Sequence, residues 1–251
     1  FRMVAVPFGI ADDIDGMPDD VDGEGDPVEL FHSRLKNFWN RKFFLASTTT
    51  IKGSSRILNW FEKSDKRFFY VPCQNPKCRH RTVTTVLDDT TGLPDHNQST
   101  GLVLKWKPGK RQTMFYPGTH GIVKFKDGDP ETAYVECSEC GFKHDDARHK
   151  RTMLLGGKWR ATAKSNGIAG WHLSRIYSPF IPWEEMVEGW LKVQGKPREL
   201  KVFINHALAE AWEEEDVIEL DHEVLYNKRR ERYPEDENGS PLVPGGVCCI
   251  T

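Results

Sequence analysis

Apolar positions follow a different period in each part of the chain. Met3 to Ala11 is almost continuously apolar and stops at Asp12-Asp13-Ile14-Asp15, which predicts a buried strand capped by carboxylates. Pro7 and Gly9 within it argue against a central strand position. After the acidic, glycine-containing stretch Asp19 to Asp26, the pair Asp26-Pro27 supplies an N-cap and a proline at the first helical position. Val28, Phe31, Leu35, Phe38 and Trp39 then share one helical face, and Arg41-Lys42 oppose the helix dipole at the far end. Phe43 to Ala46 reads as a second short buried strand, emptying into Ser47-Thr48-Thr49-Thr50.

In the middle of the chain the period shortens. Val103, Leu104 and Trp106 are interleaved with Lys105 and Lys107, and Ile122, Val123 and Phe125 with Lys124 and Lys126. With Pro108-Gly109, Pro117-Gly118 and Asp127-Gly128 as turns, these segments predict hairpins. Helical spacing returns at Met186, Val187, Trp190 and Leu191 after Pro182, and at Leu200, Phe203, Ile204, Ala207, Leu208 and Ala211 after Pro197. Both stripes are read as core-facing, the tryptophan included. Residues 213–245 are highly charged and carry Pro234, Gly239, Pro241 and Pro244, the composition of a linker. Cys248 and Cys249 lie in the apolar run Val247 to Ile250 and are expected as buried strand thiols. A start at Phe1 and a strand-like end at Thr251 make both termini read as cut.

The remaining four cysteines change the picture most. Cys73 with Cys78, and Cys137 with Cys140, are two short-spaced pairs at strand-to-turn junctions, the arrangement that places four thiolates tetrahedrally around one Zn²⁺. Residues 79 to 136 separate the pairs, far more than the roughly 15 to 20 of an ordinary ribbon, so the predicted hairpins are an insertion within it. Reduced, buried core cysteines and disulfides are the competing readings. His80 and His144 stand beside the pairs, and either is a candidate to replace a cysteine. Four cysteines would close the coordination sphere, which makes the ion structural.

Composition bounds the rest. The 251 residues suffice for one large or two small domains, and a formal net charge of −2 excludes a globally basic nucleic-acid binder. Lys105, Lys107, Lys110 and Arg111 form a local basic cluster suited to phosphate contacts, as do Arg148, Lys150 and Arg151; a solvated surface explains both equally well. No apolar run is long enough to span a bilayer and no signal peptide is recognisable, so an intracellular protein is expected. Carboxylates after a strand usually mark a turn. In a nucleotide-hydrolysing sheet they would instead present one carboxylate to the water shell of Mg²⁺ and a second to the attacking water.

The order of these motifs resembles the large terminase subunit of tailed phages of the lambda-like GpA family, nearly end to end. Asp12-Asp13-Ile14-Asp15-Gly16 followed by Gly23-Glu24-Gly25-Asp26-Pro27 resembles the family's Walker B strand and the loop and helix after it. Ser47-Thr48-Thr49-Thr50 stands where the family has a Ser-Thr-Pro-Thr coupling motif. Phe69-Tyr70-Val71-Pro72-Cys73 and Tyr134-Val135-Glu136-Cys137-Ser138-Glu139-Cys140-Gly141 resemble the approaches to its zinc knuckles. Gly170-Trp171-His172-Leu173-Ser174, Tyr177-Ser178-Pro179-Phe180 and Leu208-Ala209-Glu210-Ala211-Trp212 match further signatures in the family's order.

The resemblance implies an α/β fold: a partial P-loop-type ATPase sheet with a zinc-ribbon β insertion and a helical connector. Residues 1–62 would be the C-terminal part of the ATPase domain, 63–160 the zinc-ribbon insertion, 161–215 the connector, and 216–251 a linker with the first nuclease strand. The intact protein would be an ATP-driven DNA-packaging motor with endonuclease activity, requiring Mg²⁺ and ATP. It would act in the host cytoplasm as a homo-oligomer on double-stranded phage DNA, with the small terminase subunit and the procapsid portal as partners. Asp12 would coordinate Mg²⁺–ATP, Asp13 would position the hydrolytic water, and Ser47 to Thr50 would couple phosphate state to DNA grip. Three departures stand out. No Gly-x₄-Gly-Lys-[Ser/Thr] occurs in these residues, and Asp13 replaces the family's glutamate, one methylene longer. The nuclease strand also stops at Thr251, before the family's metal-binding aspartate, so the piece by itself is expected to be inactive. The alternative is a non-enzymatic zinc-ribbon module that binds DNA or a packaging partner through its lysine-rich hairpins.

Overall fold

The computed structural model describes residues 5–106, 114–126 and 128–213. The chain opens with a strand, β1 (Phe8–Ala11), pairing in parallel with β2 (Lys42–Leu45) across the helix α1 (Pro27–Leu35). Parallel neighbours need a crossover, and α1 is that crossover. Its start is as expected: Asp26 Oδ1 accepts the amides of Val28 (2.8 Å) and Glu29 (3.1 Å), a cap of about 1 kcal/mol. Gly9 is what lets the helix sit close, since a Cβ there would lie 3.0 Å from Phe31 and 3.3 Å from Leu35. The helix is shorter than its apolar stripe. It stops at Leu35, so Phe38 is only half-buried and Trp39 is exposed, and Lys42 opens β2 instead of closing the helix.

A second sheet holds most of the chain. Its strands β3 (Arg67–Val71), β4 (Leu102–Lys105), β5 (His120–Lys126), β6 (Asp129–Cys137), β7 (Lys143–Asp145), β8 (Lys158–Ala161) and β9 (Trp171–His172) run in the order β7-β6-β5-β4-β3-β8, with β9 beside β3. Between the cysteine pairs, the turn before Gly128 makes the expected hairpin β5–β6. The other expected hairpin is absent: β4 and β5 run parallel. Leu102, Val103 and Leu104 are all buried, so β4 is a central strand covered on both faces and does not show the half-exposed alternation that a hairpin arm requires. Where β3 and β4 part after two paired positions, Tyr177 fills the gap, its hydroxyl accepting from the Leu104 amide (2.7 Å) and donating to the Phe69 carbonyl (2.8 Å).

The helix α2 (Arg56–Glu62) joins the two sheets, α3 (Arg151–Leu155) follows β7, and α4 (Trp183–Val193) and α5 (Pro197–Phe203) pack on the larger sheet. Leu104, Trp106, Val123 and Val135 share one core with Trp183, Met186, Val187, Ile204 and Leu208, so the two helical stripes face the core as expected. The second stripe ends early: a wide helical turn at Ile204–Leu208 gives way to Ala209 in the left-handed conformation (φ 55°). The loop before β4 is held by the buried Arg160 guanidinium, which donates to the carbonyls of Thr84 (2.8 Å) and Thr100 (2.5 Å) and lies 3.9 Å from the Tyr70 ring centroid. Among the described residues no helix is long and apolar enough to cross a membrane. Cys248, Cys249 and the charged linker lie outside the described residues.

His172 gives the fold a pH dependence. It is buried among the rings of Phe61, Phe68 and Tyr116, with Nε2 donating to the Ala209 carbonyl (3.1 Å), and burial lowers its pKa to about 4. A histidine kept neutral when folded contributes full stability above the unfolded value of 6.5, and that stability is lost as pH falls from there toward 4. Denaturant unfolding should therefore show a loss of about 2 kcal/mol from this residue between pH 7.5 and pH 5. His172→Gln should flatten that part of the slope; an unchanged slope would assign it to other groups.

Candidate functional site

The larger sheet brings the four cysteines together. Cys73 lies two residues past the end of β3 and Cys137 is the last residue of β6. These strands are parallel to each other, so both cysteines emerge at the same end, but β4 and β5 lie between. In a flat sheet, strands three apart are about 14 Å apart. Here the sulfurs of Cys73, Cys78, Cys137 and Cys140 all lie within 4.8 Å of one another, so the sheet is curled and the chain segments past β3 and β6 converge. Four thiolates at about 2.3 Å from one ion would be about 3.8 Å apart along each tetrahedral edge; the Cys73 and Cys140 sulfurs are 3.8 Å apart. None of the four is in a disulfide.

Backbone amides already point at the sulfurs. Cys73 accepts from Asn75, Cys78 from His80, and Cys137 from Glu139 and Cys140. The thiol of Cys73 also donates to Cys137, and this bond with the two amides holds Cys137 well below the usual thiol range. Cys73, sharing that proton and buried, is pushed up, and burial raises Cys78 to about 11. One thiolate is thus stabilised by the protein; a divalent cation is what would remove the other protons. The donor set fits a soft, tetrahedral metal ion, with Cys140 exposed on the rim and the rest buried.

Neither histidine has a free lone pair to offer. His144, fully buried on β7, has Nδ1 at 2.9 Å from the Val135 carbonyl, to which it donates, and Nε2 accepting the Gln74 amide at 3.1 Å. His80 accepts the Gly101 amide at Nδ1 (2.9 Å). His144 therefore ties β7 to the backbone next to Cys73, and burial lowers the pKa of both rings, keeping them neutral.

The second candidate site is the shared end of β1 and β2. Asp12 and Asp13 are exposed there, neither in an ion pair with a described residue, with Asp13 in the left-handed conformation (φ 52°). Alongside, Ser47 Oγ accepts the Asp15 amide (3.1 Å) and donates to the Thr48 carbonyl (3.0 Å), while Thr50 Oγ1 donates to Asp15 Oδ2 (2.9 Å). Thr49 is buried, with no partner for its hydroxyl among the described residues. The sequence reading overlooked Asp15 and Arg56. The Arg56 guanidinium donates to the carbonyls of Ile14, Met17 and Pro18 and to the carboxylates of Asp19 and Asp26, pinning the loop behind the carboxylates. A third aspartate in the run was a signal for Asp15; nothing in sequence linked Arg56 to the loop it holds, about 40 residues earlier. Of the lysine cluster, Lys105 lies 5.6 Å from the Tyr116 ring centroid, and Lys107, Lys110 and Arg111 fall outside the described residues.

The architecture is that of a mixed α/β protein with an acidic strand end and a four-thiol centre in a curled sheet. The chain belongs to the family described as phage terminase large subunit gpA, ATPase domain, which matches residues 1–159; the terminase large subunit gpA endonuclease domain matches residues 168–251. It is 29% identical over 231 residues to the terminase large subunit of Enterobacteria phage P21, covering 91% of this chain and 34% of that protein. It is 25% identical over 254 residues to the terminase large subunit of Escherichia phage lambda, covering 100% of this chain and 36% of that one. The chain thus spans about a third of the length of the curated relatives it matches. No solved structure matches it.

Because the histidines are occupied elsewhere, their removal should spare any ion that the four thiols hold. Metal analysis with thiol titration should find such an ion lost in Cys73→Ser and Cys137→Ser and retained in His144→Gln. Loss in His144→Gln with normal folding would make that ring a ligand.

Proposed function

We propose that these residues are the ATPase-to-nuclease stretch of a tailed-phage large terminase subunit, the ATP-driven motor that packages double-stranded DNA and cuts it. The observation that carries this reading is the parallel pair β1–β2, which sets Asp12-Asp13 and Ser47 to Thr50 side by side at the strands' C-terminal ends. That is where open parallel sheets bind ligands. Apart from Lys42 at the start of β2, the pair is apolar on both faces: Gly9, Ala11 and Phe43 face the α1 side, and Phe8, Ile10 and Phe44 remain exposed on the other. Parallel strands with two apolar faces belong in the interior of a larger, doubly covered sheet.

On this reading residues 1–62 end the ATPase sheet, 63–160 are the metal-bearing insertion, 161–215 the connector and 216–251 the approach to the nuclease. Asp12 holds the water shell of Mg²⁺, and Asp13 orients the hydrolytic water from a shorter side chain than the family's glutamate. Bound Mg²⁺–ATP supplies the phosphoanhydride whose hydrolysis drives translocation; the phosphate cradle is not among these 251 residues. Zn²⁺ held by Cys73, Cys78, Cys137 and Cys140 is structural, because four thiolates leave no open position. The family supports double-stranded DNA, the small terminase subunit, the procapsid portal and further copies of the subunit as partners, in the host cytoplasm.

In the complete subunit, Asp12→Asn and Asp13→Asn should each lower kcat for DNA-stimulated ATP hydrolysis about 100-fold. Unchanged rates in both would return the pair to a surface turn. Elemental analysis should find one Zn²⁺ per chain; another metal, or none, would overturn the zinc assignment.

A further inference from the structure

Two hydroxyls of the Ser47 to Thr50 segment are already engaged. Ser47 Oγ accepts the Asp15 amide, and Thr50 Oγ1 donates to the Asp15 carboxylate. The other oxygen of that carboxylate, Oδ1, accepts the Ile57 amide in the first turn of α2 at 2.8 Å. Asp15 is thus a three-way tie between the turn behind Asp12-Asp13, the Ser47 to Thr50 segment and α2. The neighbouring Arg56 fastens the same turn from the other side through the Ile14 and Met17 carbonyls.

The tie continues beyond Thr50. Its carbonyl accepts the Trp212 amide (2.8 Å), and the Trp212 carbonyl accepts the Lys52 amide (2.9 Å), a parallel bridge between residues 51 and 212. Glu210, buried beside it, accepts from Tyr116 at 2.5 Å. Trp212 lies within the endonuclease-matching residues and Asp15 within the ATPase-matching ones. Backbone bonds from Ala46 to Ala11 and from Ile14 to Ala46 hold the two strand ends together, and Asp15 is the side chain that ties the acidic turn to Thr50, where the bridge to the second matched region begins.

We propose that Asp15 is a positioning residue that couples the two regions: it transmits displacement of the Asp12-Asp13 turn to Thr50, and through the Thr50–Trp212 bridge to the chain leading toward the nuclease. This rests on the ATPase reading above. Each of its bonds joins two segments distant in sequence, so movement of the turn must either carry the Ser47 to Thr50 segment with it or break a charge-assisted bond. Both carboxylate oxygens of Asp15 are engaged within the chain, so its role is to position the turn.

Two measurements test the proposal. In the complete subunit, Thr50→Val should lower kcat for ATP hydrolysis about ten-fold, the equivalent of one hydrogen bond to a charged group, with KM for ATP within two-fold. Thr50→Ser should restore the rate. Asp15→Ala combined with Thr50→Val should be no slower than the slower single variant, because Asp15→Ala already removes the bond that Thr50→Val breaks. In the 251-residue chain, Thr50→Val and Asp15→Ala should accelerate amide hydrogen exchange at Ile57 and Trp212 about ten-fold, with all four thiols still protected by metal. A Thr50→Val rate within two-fold of wild type, independent effects in the double variant, or unchanged exchange at both amides would overturn it. If the wild-type complete subunit hydrolyses no ATP, the motor reading fails, and exchange at Ile57 and Trp212 alone decides the tie.

Discussion

The structure depends on the convergence of four sulfurs from strands that do not neighbour each other. β3 and β6 are separated by two strands, and only a strongly curled sheet brings their ends within thiolate distance. Curling has a cost in ladder geometry, visible where β3 and β4 pair at only two positions and a tyrosine hydroxyl completes the ladder. It also creates a concave apolar face, into which Trp183, Met186 and Val187 of α4 pack. A shared metal ion would make the convergence self-sustaining, because its binding free energy is available only to the curled form. The amides aimed at Cys73, Cys78 and Cys137 lower the cost of the charge such an ion requires.

Seen this way, the long separation between the cysteine pairs is a geometric requirement. A short loop closes a two-knuckle ribbon locally. Here β4 and β5 are interposed, and β5 must return parallel to β4 so that β6, antiparallel to β5, delivers Cys137 to the end where Cys73 waits. Had the segment formed two successive hairpins, β6 would run antiparallel to β3 and present its cysteine at the wrong end. His144 secures the closure from the adjacent strand by bridging the Val135 carbonyl and the Gln74 amide.

Local chemistry was readable from the residues, and non-local partnership was not. The Asp26-Pro27 start, the core-facing stripes of α4 and α5 and the spacing of the cysteines are fixed by neighbours within a few positions, and the structure has them. The direction of β4 relative to β5 is decided by burial on both faces, which alternating Lys105 and Lys107 concealed. Trp39 falls on the apolar stripe of α1 yet is exposed, because the helix stops at Leu35 before the stripe ends. Asp15 read as one more acid in a turn; its partners Thr50 and Ile57 lie 35 and 42 positions away. The vicinal histidines read as possible ligands because proximity to cysteines in sequence carries no information about what already occupies the ring nitrogens.

The acidic strand end combines exposure with restraint. Asp12 and Asp13 are free of ion pairs with described residues and open to solvent, as groups that meet a cation and water must be, while the backbone behind them is held by Arg56 and Asp15. A rigid mount for exposed carboxylates limits the reorganisation needed when charge develops nearby. It also means that any shift forced on the carboxylates cannot dissipate locally. Ser47 and Thr50 are bonded to Asp15 and Thr50 to Trp212, while the buried hydroxyl of Thr49 lacks a partner among the described residues. An unpaired buried hydroxyl is held against a desolvation penalty of about 1 to 3 kcal/mol. A movement of the Ser47 to Thr50 segment that gave Thr49 a partner would offset part of that penalty, whereas Ser47 and Thr50 would have to give up bonds they already make.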